Sequence, residues 1–149
     1  AGAGASLWLA TRDDQADPTS KDPVLRESSR LTAAGGFWVQ ATFDVIQWPK
    51  ILGLPEDKTP YWGMVKSSKI LLGEKRFNEL RKEMDMLGNM DKNDPPMHFS
   101  PGKEGQGVHS HRFVEVLKRR AKEAGANLII KDGRESLMQF LIGKLNAKK

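Results

Sequence analysis

The chain has 149 residues, 38% of them hydrophobic, with 24 Lys and Arg against 19 Asp and Glu and no cysteine. That length predicts one domain with a modest core, and the missing thiols exclude disulfide staples, cysteine nucleophiles and cysteine-ligated metals. The charge is uneven: residues 1–65 carry six basic and eight acidic side chains, and 66–149 carry eighteen and eleven, so any attraction for an acidic partner belongs to the second half.

The opening AGAGASLWLATR is small, apolar and free of acids, and reads as what remains of a processed precursor, which points to an organelle, plastid or mitochondrion. DDQADPTSKDP follows with two Asp-Pro pairs and no large apolar side chain, so it predicts an extended linker. Residues 1–28 are then an N-terminal arm before a single small domain at 29–149. Asp13, Asp14 and Asp17 lack the alternation, central Gly and closing Glu of a calcium loop. Leu31, Ala34, Trp38, Ala41, Val45 and Trp48 step by three and four and predict a helix over 29–48, stopped by Pro49. The Gly35-Gly36 pair works against that helix by about 1.5–2 kcal/mol, which leaves a strand in FWVQATFDVIQW as the alternative. Gln40, Asp44, Gln47 and Lys50 interrupt the stretch too often for a membrane span.

Residues 49–66 read as an irregular connection plugged by Tyr61 and Trp62. The strongest periodicity lies over Ser67–Gly88, where Ile70, Gly73, Phe77, Leu80, Met84 and Leu87 form one apolar seam among charged residues. Ser67 or Ser68 suits its N-cap and Gly88 its C-terminus. Residues 89–107, with three Pro and three Gly and no periodicity, predict an irregular loop. A helix over 110–124 ended by Gly125, a short buried strand over 126–131, and a helix capped by Asp132 with Glu135 complete the chain. The strand needs a partner, sought at Met64-Val65, in 37–48, or on another protein.

Chemistry is sparse in this pattern. His109 and His111 lie two apart, with His98 upstream in a Pro-rich loop, but nothing supplies the third ligand and fixed second shell of a zinc site, and they read as exposed loop histidines. Ser110 between two of them suits a helix cap better than a nucleophile. Gly102–Gly107 lacks the order of a phosphate-binding loop. Lys118, Arg119, Arg120 and Lys122, with Arg112, form the densest basic cluster, without the stacking aromatics of an RNA-binding surface. The expected fold is α-rich, an α+β unit of three or four helices with one short strand or small sheet and long extended N-terminal and internal arms. The expected function is that of a non-catalytic accessory or linker subunit in an organellar energy-transducing complex, a photosystem or respiratory complex, peripheral to the membrane, with no cofactor or metal. Its partners would be other subunits, held by Leu7, Trp8, Leu9, Trp38, Trp48, Met97, Phe99, Arg119 and Arg120. A ribosomal or RNA-associated protein, and then a small enzyme with an unrecognised site, are the alternatives.

Overall fold

Three short parallel strands in the order β1-β2-β3 set the architecture: β1 (Ala34–Phe37), β2 (Met97–Ser100) and β3 (Leu128–Ile130). The computed structural model describes residues 2–102, 104–105 and 107–147. Within them lie six α-helices: α1 (Gly2–Ala10), α2 (Trp48–Leu52), α3 (Trp62–Met84), α4 (Met86–Asn89), α5 (Arg112–Ala124) and α6 (Arg134–Asn146). Parallel strands need crossovers that bury both faces of a sheet. β2 is buried along its whole length, as the centre of such a sheet must be.

The two glycines of β1 decide how the helices reach the sheet. A Cβ at Gly36 would lie 2.6 Å from the Cβ of Ala3 on α1, and one at Gly35 would lie 2.5 Å from Leu137 Cδ1 on α6. Successive strand residues face opposite sides, so α1 covers one face and α6 the other. Phe99 pairs in register with Gly36, on the α1 face, where Leu7, Met97, Trp48, Phe113 and Leu117 join it in the main core. Trp48 packs edge-on to Phe113 with ring centroids 5.0 Å apart, and its indole N–H donates to the Thr42 carbonyl at 2.9 Å.

Arginines fasten the connections. Arg81 makes a bidentate pair with the buried carboxylate of Asp44 at 3.0 Å, a planar match that gives geometric specificity as well as attraction. Arg120 donates to the carbonyls of Leu87 and Met90 at 2.6 and 2.8 Å, Arg112 to that of Leu52, and Arg30 to those of Arg12 and Asn93. The polar segment between α1 and β1 is tied by Asp14, whose carboxylate accepts from the Ser28 hydroxyl at 2.7 Å, the Ser29 amide at 2.9 Å and the Ala16 amide at 3.1 Å. Those donors hold its pKa down at about 2.

This architecture corrects the expected α+β unit of three or four helices with one short strand and long arms. Six helices surround a three-stranded parallel sheet, an α/β arrangement. Residues 2–10, expected to be extended, form a helix that seats closely on the sheet because Gly36 leaves room for Ala3. The helix expected over 29–48 gives way to β1, since strand pairing with β2 outweighs the helical spacing around two glycines. The loop expected over 89–107 contains the central strand, which pairs with β3. The 67–88 seam is interrupted: Gly73 has φ 70° and ψ 162°, Phe77 is buried beyond it, and Ile70 before it is 82% exposed. Ser67 donates to the Gly63 carbonyl within the helix and caps nothing. Asp132 lies before α6 without capping it, because Ser100 holds its carboxylate.

Phe99→Ala should lower stability by about 3–5 kcal/mol, since the ring is fully buried beside Gly36. Ile70→Ala should change it by less than about 0.5 kcal/mol; urea unfolding of both variants checks the difference. Asp94 gives a pH test. Burial first, then the neighbouring Asp91 carboxylate, pushes its pKa from 3.8 to about 6, against the Asp91 amide bond and the Arg30 charge that lower it. The folded state therefore holds this proton more tightly than the unfolded one, so its contribution destabilises increasingly as pH rises from about 4 to 6 and stays constant above. Asp94→Asn should raise the melting temperature more at pH 7.5 than at pH 4, as measured by calorimetry.

Candidate active site

In wound sheets with parallel strands, ligands bind beyond the carboxyl ends of the strands. Here that edge carries Trp38 after β1, Ser100 at the end of β2, and Asp132 just past β3. Trp38 takes a left-handed φ of 56°, strained for an aromatic residue. Its amide donates to the Ser100 carbonyl at 3.2 Å, which holds the reversed backbone against the sheet. Its carbonyl faces the loop before α5, where it meets the His109 ring.

His109 Nδ1 stands 3.0 Å from the Trp38 carbonyl oxygen and 3.4 Å from the amide of Gln40. A carbonyl only accepts, so Nδ1 carries a proton, and in the neutral ring the lone pair is on Nε2. The Trp38 ring lies beside the imidazole, with centroids 6.0 Å apart. Gln40 is 7% exposed and its Oε1 has no partner as placed. Turning the amide over puts its oxygen toward the Nδ1 proton and its NH2 toward α1. Gly4, in the first turn of α1, brings that helix end against Gln40: a Cβ there would lie 2.9 Å from Gln40 Oε1 and 2.6 Å from the Phe43 ring. Gly102, two residues past β2, leaves the room in which the His109 carbonyl sits.

His109 and Gln40 form the polar end of a cavity of about 550 Å³ whose other walls include Phe43, Trp48, Tyr61, Met64 and Met84. Apolar walls with a few converging polar groups are the usual form of a small-molecule site. An imidazole fixed through Nδ1 leaves Nε2, in the neutral ring, as the nitrogen that can accept a proton. Ser100 and Asp132 form a separate pair: the hydroxyl donates to Oδ1 at 2.6 Å, and this bond, followed by that from the Gly133 amide, holds the Asp132 pKa below its ordinary value. Ser110 donates to the Gly105 carbonyl at 2.5 Å and accepts from the Arg112 amide, so it shapes the turn into α5.

The three histidines are dispersed. His98 is buried under α6, with Nε2 3.0 Å from the Ser136 hydroxyl, and His111 stands 3.8 Å from Glu115. No group of three potential metal ligands occurs among the described residues. Of the residues assigned to partner binding, Leu7, Trp48, Met97 and Phe99 are buried in the core. Trp8 is half-buried, its indole donating to the Glu83 carbonyl at 2.8 Å and its ring lying under the Arg12 guanidinium. Leu9, Trp38 and Arg119 are exposed, and Arg120 is tied to carbonyls. Gln40 carried no signal in the sequence, and His109 became visible only through its contact with Trp38.

By sequence, no family model matches the chain and none of the curated proteins does. By structure it is similar to the acetyl ester-xyloside bifunctional hydrolase from Caldicellulosiruptor lactoaceticus. The TM-score is 0.59 and the identity 19%, over 87% of this chain and 42% of that one. The chain thus spans about two fifths of that hydrolase's length. At this identity the likeness is one of fold. The expectation of a non-catalytic protein is corrected only to this extent: the fold is shared with a hydrolase.

The tautomer is directly measurable. Long-range proton–nitrogen NMR spectra of the neutral protein should show the His109 proton on Nδ1; a proton on Nε2 would contradict the bond to Trp38.

Proposed function

We propose that this domain is hydrolytic and acts on an ester whose apolar portion enters the cavity bounded by Phe43, Trp48, Tyr61 and Met64. The observation that carries this reading is the His109 ring, held through Nδ1 on the Trp38 carbonyl in the wall of that cavity, which leaves Nε2 as its base in the neutral ring. The fold shared with an acetyl ester-xyloside hydrolase supports the same reaction class and makes a small acyl group the first substrate to try. The reaction balances with water as the only co-reactant. Nε2 takes a proton as the water oxygen bonds to the ester carbonyl carbon, and the same proton passes to the departing alkoxide as the carbon–oxygen bond breaks. Residues 2–10 and 97–100, within the two segments expected to be extended, are a helix and the central strand, and Arg112 and Arg120 of the basic cluster donate to backbone carbonyls while Arg119 is exposed.

Turnover of p-nitrophenyl acetate and of acetylated xylo-oligosaccharides by the purified protein tests this assignment. His109→Ala should reduce kcat about 100-fold to 10,000-fold with the melting temperature unchanged, while His111→Ala leaves kcat in place. Absence of turnover, or equal rates in wild type and His109→Ala, would remove the assignment.

A further inference from the structure

Helix α3 changes direction at Gly73, and the three residues before that corner are Ile70, Leu71 and Leu72, exposed to 82, 84 and 42%. A Cβ at Gly73 would meet nothing within 4 Å, so the corner projects away from the rest of the domain. Trp62, Val65 and Ser68 on the inner side of the same helix are half-buried; the packing of this helix therefore does not need the tip to be apolar. Around the tip stand Lys66, Lys69, Lys75 and Arg76 with one carboxylate, Glu74, over residues 66–76. Glu74 pairs with Lys69 at 3.7 Å, and Arg76 reaches Glu79 and Glu83. Lys66 and Lys75 make no ion pair among the described residues.

We infer that this corner is a docking element for an anionic lipid surface, with Ile70, Leu71 and Leu72 entering between the headgroups and the surrounding cations resting among them. Two features select lipid over a protein groove. Consecutive helical residues point about 100° apart, so the three side chains spread around the helix end and cannot share one flat face, as residues three and four apart do. A fluid phase surrounds such a tip on every side. The cationic collar is also where anionic headgroups would lie, and each cation near such a surface adds attraction that salt screens. No helix among the described residues is long and apolar enough to cross a membrane, so the attachment is peripheral. This inference concerns a surface and holds independently of the role given to His109.

The test is co-sedimentation of the purified protein with vesicles of phosphatidylcholine alone and of phosphatidylcholine containing phosphatidylserine. Binding to the anionic vesicles that weakens with salt is expected. I70S/L71S/L72S should weaken partitioning roughly tenfold or more, and K69E/K75E/R76E similarly on anionic vesicles only. The melting temperature of I70S/L71S/L72S should match wild type, because the tip is exposed. No binding to anionic vesicles, or undiminished binding of I70S/L71S/L72S, would overturn the inference. A wild-type dimer that I70S/L71S/L72S converts to a monomer would also overturn it, assigning the tip to a second copy of the chain.

Discussion

The close approach of two helices to a strand that carries no side chains at its centre is the constraint on which the rest of this structure depends. Gly35 and Gly36 are poor strand formers by intrinsic preference. Their value lies in what they leave out: any Cβ would collide with Leu137 on one face or Ala3 on the other. With both helices seated, β1 is fixed against β2, and the chain leaves β1 through the left-handed Trp38. The reversal at Trp38 then aims its carbonyl at His109. The candidate site is thus a downstream consequence of backbone packing several residues away.

The basic residues show how formal charge and available charge part company. Arg30, Arg112 and Arg120 donate to backbone carbonyls, and Arg81 is committed to Asp44. A guanidinium offers several donors in a fixed fork and suits this work better than an ammonium. These side chains join segments distant in sequence, such as the 87–90 turn to α5. The positive second half of the chain is therefore in part an internal fastening, and the cations that face outward include those around Ile70–Leu72.

The cavity and the exposed tip lie on the same connection between β1 and β2. That crossover is long, running from Trp38 to Pro96, and contains the break at Gly73. It supplies Trp48, Tyr61, Met64 and Met84 to the cavity, and its corner at Gly73 supplies the apolar tip. In wound α/β folds the connections at the carboxyl edge carry specificity while the sheet holds them in place, and this crossover has that position.

Periodicity and punctuation in the sequence determined α5 and its end at Gly125, because the signal there is local; the strand over 126–131 and the helix after it were legible in place, but the strand is half-exposed and pairs with β2, and Asp132 does not cap the helix. Phe113, Leu117 and Ala121 share a face, and Gly125 takes the left-handed φ of 71° that a helix end favours. Only the tertiary structure decided β1 and β2. Four residues containing two glycines, and four residues between Pro96 and Pro101, have no periodicity to read; both become strands because partners distant in sequence bond them and helices bury them. The seam over 67–88 failed for the converse reason: its spacing is helical throughout, but Gly73 redirects the axis, so Ile70 and Phe77 no longer face the same neighbour. The site was hidden by the same logic. His109 has the look of an exposed loop histidine until the fold places Trp38, some seventy residues earlier, at its Nδ1, and a chemical role made by one long-range hydrogen bond has no local trace in the chain.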